Sequence, residues 1–265
     1  MLQGIDHVVI LVADLDAAIE DCTRLGFTAV PGGRHRVATH NALIGFQDGA
    51  YLELIAFWED DLTHRWRRFL ALGGGLVDYC MRTDDLAGDV AALRAMGIAM
   101  SEDFPMSRLR PDGYRIEWKL ALAPETQGVT PFLIEDITPR EERLPGRTEQ
   151  ANGVTGILGL TIAVPDIALP RRLASLSGAD VQPLERGEIG GHGLRLLIGG
   201  HSFDYVTPRG DGATADFVSS RGGEGGIFAL SLRTLGPDAV IEPALAGNAR
   251  ISLVSALRAP SDATP

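Results

Sequence analysis

The chain has 265 residues, 45% of them hydrophobic, with 32 glycines and a formal net charge of −11. That length and apolar content suit one large packed domain or two smaller ones. The acidic balance, with no run of basic residues, argues against nucleic acid and anionic membranes as partners.

Two cysteines, Cys22 and Cys80, cannot build a disulfide framework, which fits a reducing compartment. The opening "MLQGIDH" lacks the basic and apolar regions of a signal peptide, and a cytoplasmic location is expected. Lys119 is the one lysine among 24 basic residues, a bias expected of a GC-rich bacterial genome.

The first element is an apolar strand, Val8-Val9-Ile10-Leu11-Val12, entered through a polar residue, His7. A buried imidazole must be satisfied by a backbone carbonyl, a neighbouring carboxylate or a metal ion. Asp14 can cap the helix that follows, and Gly26 ends it. Two strand-like runs, "HNALIGF" and "AYLELIAF", come next, split by the turn "QDG". Alternation puts His7, Val9 and Leu11 on one face, and Tyr51, Glu53 and Ile55 on one face. Glu53, between Leu52 and Leu54, repeats the question that His7 raises.

The pattern then recurs. Asp85 and Gly97 lie 71 residues beyond Asp14 and Gly26, and Asp166 and Gly178 lie 152 beyond them. The strand runs are "YRIEWKLALA" and "PFLIEDI" in the second copy, and "GLRLLIG" and "SFDYVTP" in the third. The unit is β-α-β-β-β, used three times, with a degenerate fourth start at 225–234 that no comparable helix follows. Units at 4–57 and 75–139 make a first domain over 1–140. The polar segment 141–152 is expected to be a linker, 153–258 a second, degenerate domain, and 259–265 a tail. The fold class is α+β.

These residues carry a resemblance. "IDHVVILVADLDAA", "THNALIGF", "AYLELIAF", "SRLRPDGYRIEW" and "TPFLIED" resemble the vicinal oxygen chelate superfamily, which includes glyoxalase I, bleomycin-resistance proteins and extradiol dioxygenases. The chain is most similar to its glyoxalase-like branch, closely over 4–139 and loosely over 153–208. The resemblance implies βαβββ modules paired into half-open, barrel-like clefts, with a divalent metal held by the first and last strands of each module. It implies His7 and Glu53 as ligands, with Glu135 as the second module's counterpart of Glu53, a further ligand or the base. A neutral imidazole and carboxylates suit Mn, Fe, Ni or Zn. The 71-residue offset carries His7 onto Asp78, and in the third module the corresponding positions are Gly159 and Asp204. The chemistry is therefore expected in residues 1–139.

Other side chains are weighed beside these. His40 is a candidate third nitrogen ligand or general base, against a strand-start histidine bonded to a loop carbonyl. Asn41 is a candidate to orient substrate. Arg108 and Arg110 precede a Pro-Asp-Gly turn, and Arg110 at a cleft mouth is the candidate for holding a substrate carboxylate. Trp118 shares a strand face with Tyr114, opposite Glu117, and one of those faces looks into the cleft. His35 reads as a gating or solvated loop residue, His64 as a polar position on a charged helix, and His192 and His201 as surface residues. Cys22 reads as a packing thiol. The glycine clusters read as connectors, lacking any phosphate-binding fingerprint.

The expected function is a metal-dependent enzyme acting on a small substrate that chelates the metal through two oxygens, by lyase, isomerase or dioxygenase chemistry. The alternative is a metal-free protein that sequesters a small molecule, as bleomycin-resistance proteins do; an aromatic-rich cleft would favour it. A homodimer through exposed strand edges is a further expectation.

Overall fold

In the first two repeats the opening strand leads into a helix that the sequence caps in the same way. In the computed structural model, which describes residues 2–35, 38–110, 112–144, 146–177 and 179–256, Asp14 accepts a hydrogen bond from the Ala17 N–H and Asp85 from the Gly88 N–H, both at 3.0 Å. Gly26 (φ +79°) and Gly97 (φ +74°) take the left-handed conformation that closes these helices. Gly178 and the 259–265 tail lie outside the described residues.

The first unit is β1 (Leu2–Leu11), α1 (Leu15–Arg24), β2 (Val30–Arg34), β3 (Thr39–Gly45) and β4 (Tyr51–Phe57). A short helix, α2 (Arg67–Leu70), leads to the second: β5 (Gly75–Thr83), α3 (Leu86–Ala95), β6 (Phe104–Leu109), β7 (Arg115–Ala121) and β8 (Phe132–Asp136). After α4 (Arg140–Arg143) comes the third: β9 (Val154–Ala163), α5 (Ala168–Ser177), β10 (Asp180–Arg186), β11 (Gly191–Ile198) and β12 (His201–Pro208). Following α6 (Ala213–Ser220), the fourth copy keeps β13 (Gly226–Thr234), β14 (Ala239–Ile241) and β15 (Ile251–Ser255). Where the other copies have a long helix, it has the three-residue β14 and a 3-10 turn at Pro243–Leu245.

The strands form two sheets, ordered β2-β3-β4-β1-β5-β8-β7-β6 and β10-β11-β12-β9-β13-β15-β14. In each, two units join through their first strands, β1 with β5 and β9 with β13, both antiparallel. This is a mixed α+β fold of paired βαβββ modules. The second strand of each of the first three units, β2, β6 and β10, is an edge strand containing proline, "VPGGR", "FPMSRL" and "DVQPLER". Proline and glycine blur the strand signal and are tolerated at an edge. The first sheet curls until its edges approach: Arg108 on β6 donates to the Gly32 carbonyl on β2 at 3.3 Å.

One core serves both sheets. Val8, Leu54 and Tyr79 of the first pack in the same buried cluster as Ile157, Tyr205 and Leu230 of the second, with the inner faces of α1, α3 and α5. Burying each such side chain contributes about 1.5–3 kcal/mol. Two polar contacts cross this core: the Tyr79 and Tyr205 hydroxyls meet at 3.0 Å, and the Ile5 N–H donates to His201 Nδ1 at 3.3 Å. His201 is thus buried between the sheets (6% exposed) and not at the surface as expected. The 141–152 segment is built into the first sheet through Arg143, which is 4% exposed.

With the core on one face of the first sheet, its concave face is left to form a cleft. That side carries a second apolar cluster, including Val9, Ile55, Trp66, Trp118, Phe132 and Ile134.

Candidate functional site

The cleft encloses a cavity of about 300 Å³. Alternation decides which side chains reach it: His7 from β1, Thr39, Asn41 and Leu43 from β3, and Tyr51, Glu53 and Ile55 from β4. The second unit contributes Phe104, Met106 and Arg108 from β6, Trp118 and Leu120 from β7, and Phe132 and Ile134 from β8. Trp66 covers the cavity from the loop before α2. The lining is apolar and aromatic except where the histidines, Glu53, Asn41 and the arginines enter it.

The polar end is organised around Glu53, 8% exposed. His7 Nε2 lies 3.4 Å from Glu53 Oε2, and His35 Nε2 lies 3.8 Å from Oε1. The Asn41 amide donates to Oε1 at 2.6 Å. The His7 ring stacks on Tyr51 at 4.7 Å and meets the edge of Phe132 at 5.3 Å. Its other nitrogen, Nδ1, donates to Asp6 Oδ1 at 2.7 Å. The nearest answer to how His7 is satisfied is therefore the Asp6 carboxylate, which accepts from Nδ1 and leaves Nε2 turned toward Glu53.

Asp6 is completely buried and anchored from α4. Arg143 donates to both its oxygens, at 2.9 and 2.8 Å, and Arg140 adds a further contact. Burial alone would raise this carboxyl; the Arg143 charge and the His7 hydrogen bond overcome that and hold it well below the usual carboxylate range. Burial lowers the pKa of His35, only partly offset by Glu53, so its ring is neutral near neutral pH. His35 Nδ1 meets Thr39 Oγ1 at 2.9 Å, which turns Nε2 toward Glu53.

His7, Glu53, Asn41 and Trp118, expected from the sequence, all line the cavity; three other candidates do not. Glu135 is on the opposite face of β8 from Phe132 and Ile134. The register shows why: Val9 pairs with Glu53, and Cys80, 71 residues on from Val9, pairs with Phe132. Phe132 therefore holds the place of Glu53, and unequal loop lengths had hidden that offset. The ligand and base roles expected of Glu135 are withdrawn. His40 faces away from the cleft because it alternates with Thr39 and Asn41, and its catalytic role falls with it. Arg110 lies outside the cavity, where its guanidinium is tied to Asp112 and to Glu142 Oε2 (2.5 Å). Arg108, two residues earlier on the inward face, lines the cavity instead.

His35, expected to be a gating or solvated loop residue, and His64, expected on a charged helix, both line the cavity. Asp6 and Arg143, absent from the expected site, anchor its polar end. The adjacent Asp6-His7 pair and the Arg140/Arg143 spacing were the available signals. Neither shows a link between segments more than 130 residues apart.

The superfamily resemblance implies a divalent metal, and the donor types on the cavity wall suit one while their spacing is still open. His7 Nε2 and His35 Nε2 both approach the Glu53 carboxylate on one cavity wall, two imidazoles and one carboxylate by chemistry. The three do not close to within 4.8 Å of one another. The Asp6 bond to His7 Nδ1 leaves Nε2 as the lone-pair nitrogen of the neutral ring, the usual outer arrangement of a ligating histidine. Phe132 removes a fourth protein ligand, which leaves coordination positions open to substrate. Asp78, on β5, is committed elsewhere: it binds Arg65 at 3.0 Å and the Trp66 indole at 3.1 Å. Asp6, His7 and Cys80 do bring possible ligand atoms within 4.8 Å of one another. That trio fits a metal poorly, because two arginines occupy Asp6 and burial raises the Cys80 thiol well above its ordinary value.

No helix among the described residues is long and apolar enough to cross a membrane. The structure superposes on a hypothetical protein from Staphylococcus aureus with a TM-score of 0.70 at 12% identity, covering 96% of this chain and 100% of that one. It also superposes on a mutant 4-hydroxymandelate synthase from Streptomyces coelicolor, with a TM-score of 0.59 at 16% identity, covering 88% of this chain and 71% of that one. At these identities the likeness is one of fold. No curated protein matches the chain. A family model described as "Glyoxalase-like domain" matches residues 5–176, which takes in both units of the first sheet and the start of the third. The chain belongs to this glyoxalase-like family, within the vicinal oxygen chelate superfamily.

Proposed function

We propose that the protein is a metal-dependent enzyme acting on a small molecule with an apolar body and adjacent oxygens. The observation that carries this reading is the approach of His7 Nε2 and His35 Nε2 to the Glu53 carboxylate at one end of an otherwise apolar cavity. A divalent ion bound by these three would supply Lewis acidity for a developing oxyanion, which suits isomerase or lyase chemistry and, with iron, dioxygenase chemistry. The chain's own groups prepare that end. Asp6 orients His7, Asn41 holds the Glu53 carboxylate, and Trp66, Trp118 and Phe104 exclude water from the substrate body.

The test is elemental analysis of untagged protein beside His7→Ala, Glu53→Ala and His35→Ala. Near-stoichiometric Mn, Fe, Ni or Zn in the parent, lost in the variants, supports the reading. A parent that stays metal-free after incubation with each ion overturns it.

A metal-free binder is the second reading. It is favoured by Phe132 in the place of a ligand and by the aromatic lining, with His7 and Glu53 then bonded to each other or to the bound molecule. Under this reading, the parent and all three variants are metal-free and a small molecule co-purifies with the parent.

A further inference from the structure

We infer that the ligand of this cleft carries a carboxylate and that Arg108 is its counter-ion. The inference rests on reading the cavity as the substrate site, and it holds with or without a metal.

Three arginines line the cavity, and two have carboxylate partners. Arg65 binds Asp78 at 3.0 Å, and Arg143 binds Asp6 at 2.8 Å and Asp136 at 2.6 Å. Among the described residues, Arg108 has none. Its guanidinium donates only to two backbone carbonyls, Gly32 at 3.3 Å and Arg143 at 3.2 Å, while its Nε is enclosed with no acceptor. A half-buried cation without an ion-pair partner carries a desolvation cost that carbonyls offset only in part. Burial lowers the Arg108 pKa from the ordinary arginine value, offset only in part by Tyr51 and Glu53. An anion entering the cavity would relieve this.

The neighbouring residues describe the rest of the ligand. Phe104, Met106 and Arg108 alternate onto the same face of β6, so one strand offers two apolar contacts and then a charge. Trp118 faces the same space from β7. Gly32 keeps that corner open: a Cβ there would overlap Asn41 Oδ1 and reach 3.0 Å from an Arg108 nitrogen. The shape and charge suit a monocarboxylate with a compact aromatic or aliphatic body. Its carboxylate would accept paired hydrogen bonds from the remaining guanidinium N–H groups. Glu53, the nearby acidic group, is already shared by His7, His35 and Asn41 and forms no ion pair with Arg108 among the described residues.

The competing explanation is that Arg108 only clasps the β2 and β6 edges together. Calorimetric titration of the full chain with phenylacetate and hexanoate, each against its neutral amide, separates the two. The expected result is that the carboxylates bind at least about tenfold tighter than the amides. Arg108→Gln should erase that preference and Arg108→Lys should keep its sign, while Arg110→Gln leaves it intact. The inference is overturned if neither carboxylate binds, or if acid and amide bind equally. It is also overturned if Arg108→Gln lowers the melting temperature yet keeps the preference; Arg108→Lys carries the comparison if Arg108→Gln does not fold. Repeating the titration after EDTA dialysis isolates the metal reading. Carboxylate preference in metal-free protein sustains this inference alone, and bound metal without preference sustains only the proposed chemistry.

Discussion

His7 Nδ1 donates to the carboxylate of Asp6, the residue immediately before it, at 2.7 Å. Neighbours on a strand ordinarily face opposite sides. Here Ile5 pairs with Met81 and His7 with Cys80, so Asp6 is the extra residue of a β-bulge and turns its side chain toward His7. The bulge, the two α4 arginines and Tyr51, which accepts from Arg143 at 2.9 Å, make one buried network behind the candidate ligands.

Asp6→Asn should therefore destabilise the fold by about 3 kcal/mol, because Arg143 loses one of the two carboxylates, Asp6 and Asp136, that compensate its burial. Urea unfolding measures this. The parent also has a pH signature. A carboxyl held below its unfolded value stabilises fully above the ordinary carboxylate range and loses that contribution only as pH falls through the lowered value. The acid transition of the parent should be correspondingly steeper than that of the variant. Equal stability of the two proteins at neutral pH would remove Asp6 from this role.

Gly32→Ala tests the corner beside Asn41. The added methyl overlaps Asn41 Oδ1, which has no hydrogen-bond partner and can be pushed away, so the Asn41 hold on Glu53 should break. We expect about a tenfold loss of metal or ligand affinity, on the scale of an outer-shell change at a metal site. The melting temperature should move little, since β2 is an edge strand. Calorimetry and thermal melting report the two separately.

Tyr79→Phe removes a hydroxyl from the junction of the sheets. The Val129 carbonyl keeps its bond from Tyr205 at 3.2 Å, so no buried acceptor is stranded. The expected loss is about 1 kcal/mol in a single cooperative denaturant transition. Two separated transitions would show that the sheets unfold independently despite their common core.

Neither cysteine should react with a thiol reagent at about pH 8 in the folded protein. Burial raises the Cys22 thiol to about 11 and the Cys80 thiol well above its ordinary value. The sign for stability follows from a raised pKa. The Cys22 contribution is complete below the ordinary value of 9.0 and is lost as pH rises toward 11, by about 2 kcal/mol. Labelling kinetics with and without denaturant, and Cys22→Ala stability between those pH values, check both statements. Rapid labelling of the native protein would contradict them.

The repeat was legible along the chain because capping and helix termination are local. Asp14 and Asp85, with Gly26 and Gly97, determine where each helix begins and ends from residues within one turn, whatever surrounds them. His7 and Glu53 stood out for the same reason, as polar groups inside apolar runs whose alternation is set by the strand itself. The edge strands β2, β6 and β10 were not legible, since their prolines and glycines weaken the pattern that burial imposes elsewhere. Alternation also left open whether Trp118 or Glu117 faced the cleft, because either face of a strand can be the inner one until the sheet curls.

Beyond that, the site was decided in three dimensions. Glu135 and Phe132 differ by three residues, and strand register, set by hydrogen bonds to β5, gave the ligand's place to the phenylalanine. His35 reaches Glu53 because β2 folds back over β4 through β3, and Arg143 reaches Asp6 because the chain between the two sheets returns to the start of β1. Sequence alone determined the modules, their order and the first two polar residues of the cleft. Tertiary structure decided their partners, because register and chain return are settled by packing among segments that carry no local mark of one another.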